Sequence, residues 1–381
     1  YHFNIISQYI YIIFAFISFS GTITTMNTEN ITIKSNKLPN SRVEITVTIP
    51  IAEVTSFRSQ VLKELKETTE IDGFRKGHAP ELKILERVGE MGVLAEMADR
   101  ALTESYPTIL EQSKIQPISR PTINITKMAP DNDVEYVITT DVMPTVIISD
   151  VVSIAKEHNQ KPIQTVVTDT EVENAIREIR QMRAHQQLHD NNVEHHDHNH
   201  QNIPDDQLPE LTDDYVKTLG KFSNIADFEK QLRENMEKEK QANEHEKRRI
   251  AIIEAIITKG EYDIPVSIVD FELEKMTEQF KHDLSMNGMK LDEYLNHIGK
   301  TIEDMKIEWR EQAEKRVQMQ LTLEKIAETF TIKPDQEKID TEVTKLMEMY
   351  SEESIQRENV VNYVTQILTN TAVFDWLENQ K

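Results

Sequence analysis

The sequence predicts an α+β domain in its N-terminal part, followed by an elongated all-α domain. Three observations carry that prediction. Residues 31–50 and 121–144 contain β-branched runs that alternate with polar residues, the period of half-buried strands. The interval between them repeats its apolar residues at helical spacing. From residue 208 onward, nearly everything follows that helical period with charges on the opposite face.

The elements follow in order. "ITIKSNKLPNSRVEITVTIP" is two alternating runs joined by an Asn/Pro turn, which predicts a hairpin. "AEVTSFRSQVLKELKE" places Val54, Phe57, Val61, Leu62 and Leu65 on one helical face. After the loop "IDGFRKGHAP" come two further helical stretches, "PELKILERVG", with Pro80 at the first helical position, and "GVLAEMADRALTESYPTILEQS". Two strands, "PTINITKM" and "VEYVITTDVMP", close the domain around the turn-rich "APDND". The order β-β-α-α-α-β-β predicts helices packed on one face of an antiparallel sheet.

Residues 168–185, "TDTEVENAIREIRQMRAH", predict one helix, followed by the polar tract "QQLHDNNVEHHDHNHQNIPDDQ". Then come a long helix from about Ile225 to Lys259, a break at "GEYDIP", a helix over 266–286, a turn at "MNGM", another long helix to Phe330, a break at Pro334 and two final helices. The expected domains are 26–150, a linker at 151–207 with one helix, and 208–381.

Composition narrows the function. With 66 acidic against 43 basic residues, the net charge is −23. A surface this acidic repels phosphates except at a local basic site. Cysteine is absent, which removes disulfides and thiolate chemistry, and 9 glycines leave no phosphate-cradling motif. No nucleotide, cofactor or catalytic constellation is expected. Residues 5–19, "IISQYIYIIFAFISF", are apolar, but no Lys or Arg precedes Lys34. The run is also shorter than the ~18 residues a membrane span needs. Residues 1–25 are read as upstream sequence with Met26 as the start; the alternative is an export signal.

The loop at 71–80 holds the sharpest signal. Gly73 and Gly77 permit positive φ, and Phe74, Arg75 and Lys76 lie between them. Either this aromatic with its cations faces outward as a docking anchor, or Phe74 folds back into the core. Local physics leaves both open.

"GFRKGHAP" resembles the G-F-R-x-G-x-x-P signature of bacterial trigger factor, the chaperone that docks at the nascent-chain exit of the large ribosomal subunit. "LPELTDDYVKTLGKFSNIADFEKQLRENMEKEK" and "YDIPVSIVDFELEKM" resemble family segments too, and the likeness runs from Met26 to the end apart from the His-rich tract. It implies a ribosome contact at Phe74, Arg75 and Lys76, shaped by Gly73, Gly77 and Pro80. It also implies a cytoplasmic, ATP-independent chaperone that meets ribosomal protein and rRNA near the exit tunnel, holds unfolded nascent polypeptides, and assists folding and export. Self-association off the ribosome stays open.

One departure matters. The family commonly carries a prolyl isomerase domain of the FKBP type, a β-sheet domain with an aromatic-lined site. Here residues 144–210 contain no Gly, Phe, Tyr or Trp. No such site can be built from them, so no isomerase activity is expected. The alternatives are a chaperone that retains isomerase activity, and an exported chaperone like the periplasmic SurA group.

Client holding calls for adaptable apolar side chains, a role suited to methionine. Met276, Met286, Met289, Met305, Met319, Met347 and Met349 lie in the helical part and are the candidate client contacts. Core burial is the competing fate for each. His185, His189, His195, His196, His198 and His200 crowd the polar tract beside Asp197. The tract reads as a linker; the alternative is a flexible imidazole set for Zn, Ni or Cu ions.

Overall fold

The computed structural model describes residues 30–75, 77–163, 165–191, 203–204, 208–349 and 356–381, with the side chains of 185, 187–191 and 349 excepted. The chain divides into two compact units, one of residues 1–149 with 257–373 and the other of 150–256 with 374–381.

The first unit opens with the expected hairpin, β1 (Thr32–Leu38) and β2 (Arg42–Ile49), in which Leu38 pairs with Arg42. The turn needs left-handed backbone at Asn40 and Ser41, whose φ values are 61° and 45°. Four helices follow: α1 (Ile51–Thr55), α2 (Arg58–Thr68), α3 (Glu81–Val88) and α4 (Glu90–Ser113). The single helix expected over 52–67 is broken at Ser56 and Phe57. Thr55 and Ser56 turn their hydroxyls onto the carbonyls of Ile51 and Glu53, a local competitor of the helical ladder. The break lets Phe57 enter the core.

Strands β3 (Thr122–Lys127) and β4 (Val134–Asp141) complete an antiparallel sheet in the order β1-β2-β4-β3. Alternation sets its inner face: Val43, Ile45, Val47 and Ile49 from β2, and Val134, Tyr136 and Ile138 from β4, are buried. They meet Val93, Met97, Ala98, Ala101 and Ile109 on one stripe of α4. The Tyr136 hydroxyl, which donates to the Ala98 carbonyl at 2.8 Å, joins sheet to helix.

The same unit contains β5 (Thr145–Ile147), which pairs antiparallel with β6 (Glu261–Asp263) across more than a hundred residues of sequence. Beside this ribbon, the carboxylate of Asp263 accepts the backbone N–H groups of Asn40 and Ser41 at 2.7 and 2.8 Å, and the Ser41 hydroxyl donates to both Asp263 Oδ2 and the Asp263 carbonyl. These bonds hold Ser41 in a backbone region that non-glycine residues seldom occupy. Ile118 packs with Ile268, Val317 and Leu321.

The remaining elements are introduced here in chain order. In the second unit lie α5 (Val151–Asn159), α6 (Asp169–Asn191), α7 (Asp213–Leu219) and most of α8 (Ile225–Lys259). In the first lie α9 (Val266–Met286), α10 (Leu291–Ile298), α11 (Ile302–Thr329), α12 (Gln336–Met349) and most of α13 (Arg357–Glu378). Helices α9 and α11 bury Leu273, Met276, Ala313 and Val317, and are clasped by Lys306–Glu274 at 2.6 Å and Arg310–Asp270 at 3.0 Å. A Thr301–Asp304 capping box starts α11.

Among its described residues, the interval 151–207 holds two helices, not the one expected. Helix α5 buries Val151, Ile154 and Ala155, and α6 joins Val172 and Ile176 to Val216 and Phe228 in the second unit's core. The Arg233–Asp169 and Lys240–Glu171 pairs, at 2.6 and 2.9 Å, fix α8 to α6. The C-terminal residues close the unit, where Arg249 grips Asp375 and Glu378. Residues 1–25, and His195, His196, His198 and His200 with Asp197, lie outside the described residues, as do the side chains of His185 and His189.

Candidate functional site: the loop at 71–80

The loop joins α2 to α3, and its shape follows from two turns. Phe74 N–H donates to the Ile71 carbonyl at 3.1 Å, and His78 N–H donates to the Arg75 carbonyl at 3.0 Å. In each turn a glycine stands third, Gly73 with φ 84° and Gly77 with φ 82°, the position at which a type II turn requires positive φ. An added Cβ at either glycine would meet nothing within 4 Å. The requirement is therefore conformational and not a matter of space. Gly77 N–H also donates to the Lys66 carbonyl at 3.0 Å, which ties the returning strand of the loop to the end of α2.

Pro80 differs from its expected place by one position. It is the N-cap of α3 with φ −64° and ψ 148°, and its carbonyl accepts the N–H groups of Lys83 and Ile84. An extended ψ at the cap redirects the chain, and Ala79 before it is buried. The loop base is thus anchored, as Ile84 is also buried.

Between the two turns, Phe74 is 43% exposed and belongs to none of the core clusters among the described residues, and Arg75 is exposed. Of the two orientations open from sequence, the outward one is present. Lys76 lies outside the described residues.

The helices under the loop are braced by ion pairs. Arg58 forks both oxygens of Glu90 at 3.0 Å, and Arg100 reaches Glu64 at 2.5 Å. The hydrogen bond from Arg58 holds the Glu90 carboxyl below its ordinary range. Two acids of the supporting helices are thereby engaged by arginines of the same domain.

The candidate client contacts separate by burial. Met276 and Met305 are each 8% exposed and fill core positions, Met276 beside Leu273 and Ala313. Met347 packs against the cluster of Ile339, Val343, Val360 and Val364. Met286, Met289 and Met319 remain exposed, Met286 at 76%. The side chain of Met349 lies outside the described residues. The sequence reading passed over Ile307, which is 73% exposed on α11; the aromatics interleaved with the methionines come together in a ring cluster, in which Phe280 stands edge-on to Tyr294 and Trp309 at 5.3 Å each. Phe280 and Trp309 each follow a methionine, Met276 and Met305, by four residues, the spacing that places side chains on one helical face.

No group of three or more His, Cys, Asp and Glu that could hold a metal ion occurs among the described residues. No helix among them is long and apolar enough to cross a membrane.

Comparison with known proteins gives a consistent result. A family model described as bacterial trigger factor protein matches residues 31–179, and one described as bacterial trigger factor protein C-terminus matches residues 224–379. The trigger factor of Halalkalibacterium halodurans is 25% identical over 399 residues, covering 84% of this chain and 90% of the relative. That of Carboxydothermus hydrogenoformans is 23% identical over 388 residues, covering 83% and 90%. A solved structure from work on promiscuous substrate recognition in folding and assembly by the trigger factor chaperone shares the fold at a TM-score of 0.51 and 15% identity, covering 92% of this chain and 100% of that one.

Proposed function

The chain belongs to the trigger factor family, and from that premise we propose that it is an ATP-independent chaperone that docks at the exit site of the large ribosomal subunit and holds nascent polypeptides. The observation that carries the reading is the loop tip, where Phe74 stands exposed beside Arg75 between two positive-φ glycines. An exposed aromatic gains by entering an apolar crevice of a ribosomal protein, while neighbouring cations pair with rRNA phosphates. Docking resides in residues 26–150 and client holding in 208–381. Met286, Met289, Met319 and Ile307 offer weak, shape-tolerant apolar contact to a client. The setting is the cytoplasm, where ribosomes meet nascent chains.

The protein works without prolyl isomerisation. Residues 144–210 lack every aromatic type that lines an FKBP-type site. The alignment with the H. halodurans protein spans 399 residues, more than the 381 of this chain while covering only part of it. The relative therefore carries internal residues that have no counterpart here.

The test is ribosome co-sedimentation of a protein starting at Met26, beside a variant with Phe74, Arg75 and Lys76 all changed to Ala. Salt-sensitive binding that the variant loses is expected. Equal sedimentation of both, or none by either, refutes docking through this loop.

A further inference from the structure

We propose that the first unit contains a second polypeptide site, a groove between β5 and α13 that takes an extended stretch of unfolded chain by its backbone. The inference rests on the chaperone reading and names a client surface that the methionines do not supply.

The groove has a volume of about 570 Å³. One wall is the segment leading into and along β5, with Thr145 and Val146 among the lining residues. Strand β5 belongs to a two-stranded ribbon with β6 alone, so its other edge has no strand partner among the described residues. An unpaired edge offers a row of N–H and C=O groups to any extended chain laid beside it.

The opposite wall is a face of α13 bearing Thr365, Gln366, Thr369 and Asn370, all half-buried. Amides and hydroxyls both donate and accept. The Thr369 hydroxyl already donates to the Thr365 carbonyl at 2.7 Å and keeps only its acceptor lone pairs, but the set as a whole can meet the alternating donors and acceptors of a peptide backbone without reading its side chains. The groove floor is ordered: Asn370 Nδ2 donates to Gln320 Oε1 at 3.1 Å, and Gln320 Nε2 donates to Glu324 Oε1 at 2.8 Å. Lys325 at the rim is paired with Glu328 at 2.7 Å. No cluster of free cations is present in the lining to favour a phosphate ligand.

The dimensions suit a short extended segment. The lining of α13 runs from Asn362 to Asn370, about 12 Å at ~1.5 Å per helical residue. A strand rising ~3.3 Å per residue fits about four residues in that length. Such a site holds any sequence weakly, as a chaperone for diverse clients requires.

The experiment titrates the full chain with a fluorescent, permanently unfolded peptide and with the same peptide N-methylated at alternate amides. Gln366→Trp fills the groove, and Gln366→Leu removes its hydrogen-bonding capacity at similar volume. Circular dichroism checks the fold of both, so either one serves alone. Filling is expected to weaken peptide binding about tenfold, the loss of roughly two net hydrogen bonds. N-methylation should weaken binding to the unmodified protein and have little further effect on Gln366→Trp. Ribosome co-sedimentation should be unchanged in both variants. Unaltered peptide binding by a folded Gln366→Trp overturns the proposal, as does indifference of the unmodified protein to N-methylation. If the unmodified protein binds neither peptide, the chaperone reading itself falls.

Discussion

Replacing Phe74 by Ala separates docking from folding. Phe74 is 43% exposed, and a Phe presents roughly 200 Å² of side-chain surface, so about 85 Å² remains to be buried on a partner. At ~25 cal/mol per Å² that area is worth about 2 kcal/mol, or about thirtyfold in affinity. Ala retains the Cβ contribution, so the expected loss is about tenfold or more. Phe74 is more than half covered but joins none of the buried clusters among the described residues, so the loss of thermal stability should stay below the ~3–5 kcal/mol of a core Phe→Ala change. The assay is a titration of labelled protein against purified ribosomes at fixed salt, paired with a thermal melt. Unchanged affinity refutes the anchor role. A stability loss of ~3–5 kcal/mol would refute the exposed placement, since that is what truncating a core Phe produces.

Three other expectations follow from single groups. Asp263→Ala removes the acceptor of two backbone N–H groups and one hydroxyl and should cost about 3 kcal/mol by denaturant melt, since hydrogen bonds to a charge contribute ~1.5–3 each and loss of several is partly relieved by water; a cost under ~0.5 kcal/mol means the turn holds Ser41 unaided. Glu171 is held at about 2 chiefly by the Thr168 N–H, then by Lys240, so its contribution is complete above its ordinary pKa of 4.5 and is lost as pH falls through about 2. The stability difference between the native protein and Glu171→Gln should shrink across that window, and a difference independent of pH would contradict the assignment. A proline-containing peptide should isomerise at its uncatalysed rate with this protein present; catalysis at the level of an FKBP domain would overturn the reading of residues 144–210.

What the sequence disclosed depended on whether the signal was local. The hairpin, the buried stripe of α4 and the limits of α8 and α9 were legible because their apolar residues recur at 2 or 3.6. Helix α5 escaped although Val151, Ile154 and Ala155 have helical spacing, because nine residues give few repeats of that period. The pairing of β5 with β6 could not be read, since each strand is three residues long and its partner is remote. Asp263 is the sharpest example: nothing around "EYDIP" marks a carboxylate that receives a hairpin turn 222 residues away. The loop at 71–80 was legible as a motif, yet the direction of Phe74 was not. That direction depends on what packs beneath it. Among the methionines, burial of Met276 was foreseeable from Leu273 and Val269 at three and seven residues before it, while exposure of Met286 depends on where α9 outlasts its neighbours.

If the chain docks on rRNA as proposed, salt dependence offers a further check on how so acidic a chain approaches it. A net charge of −23 repels phosphates, but beyond about 8 Å at physiological ionic strength that repulsion is largely screened. A loop tip can therefore bring two cations to the RNA while most carboxylates stay back, and the Arg58–Glu90 and Arg100–Glu64 pairs engage two acids of the supporting helices. If Arg75 and Lys76 each neutralise one phosphate, log affinity should fall against log salt with a slope of about −1.4 to −1.8. Arg75→Ala should reduce that slope by about 0.7–0.9, whereas Phe74→Ala should lower affinity at every salt concentration and leave the slope alone. A slope steeper than about −4 would require more cations than the tip possesses, and would move the RNA contact to another face of the protein.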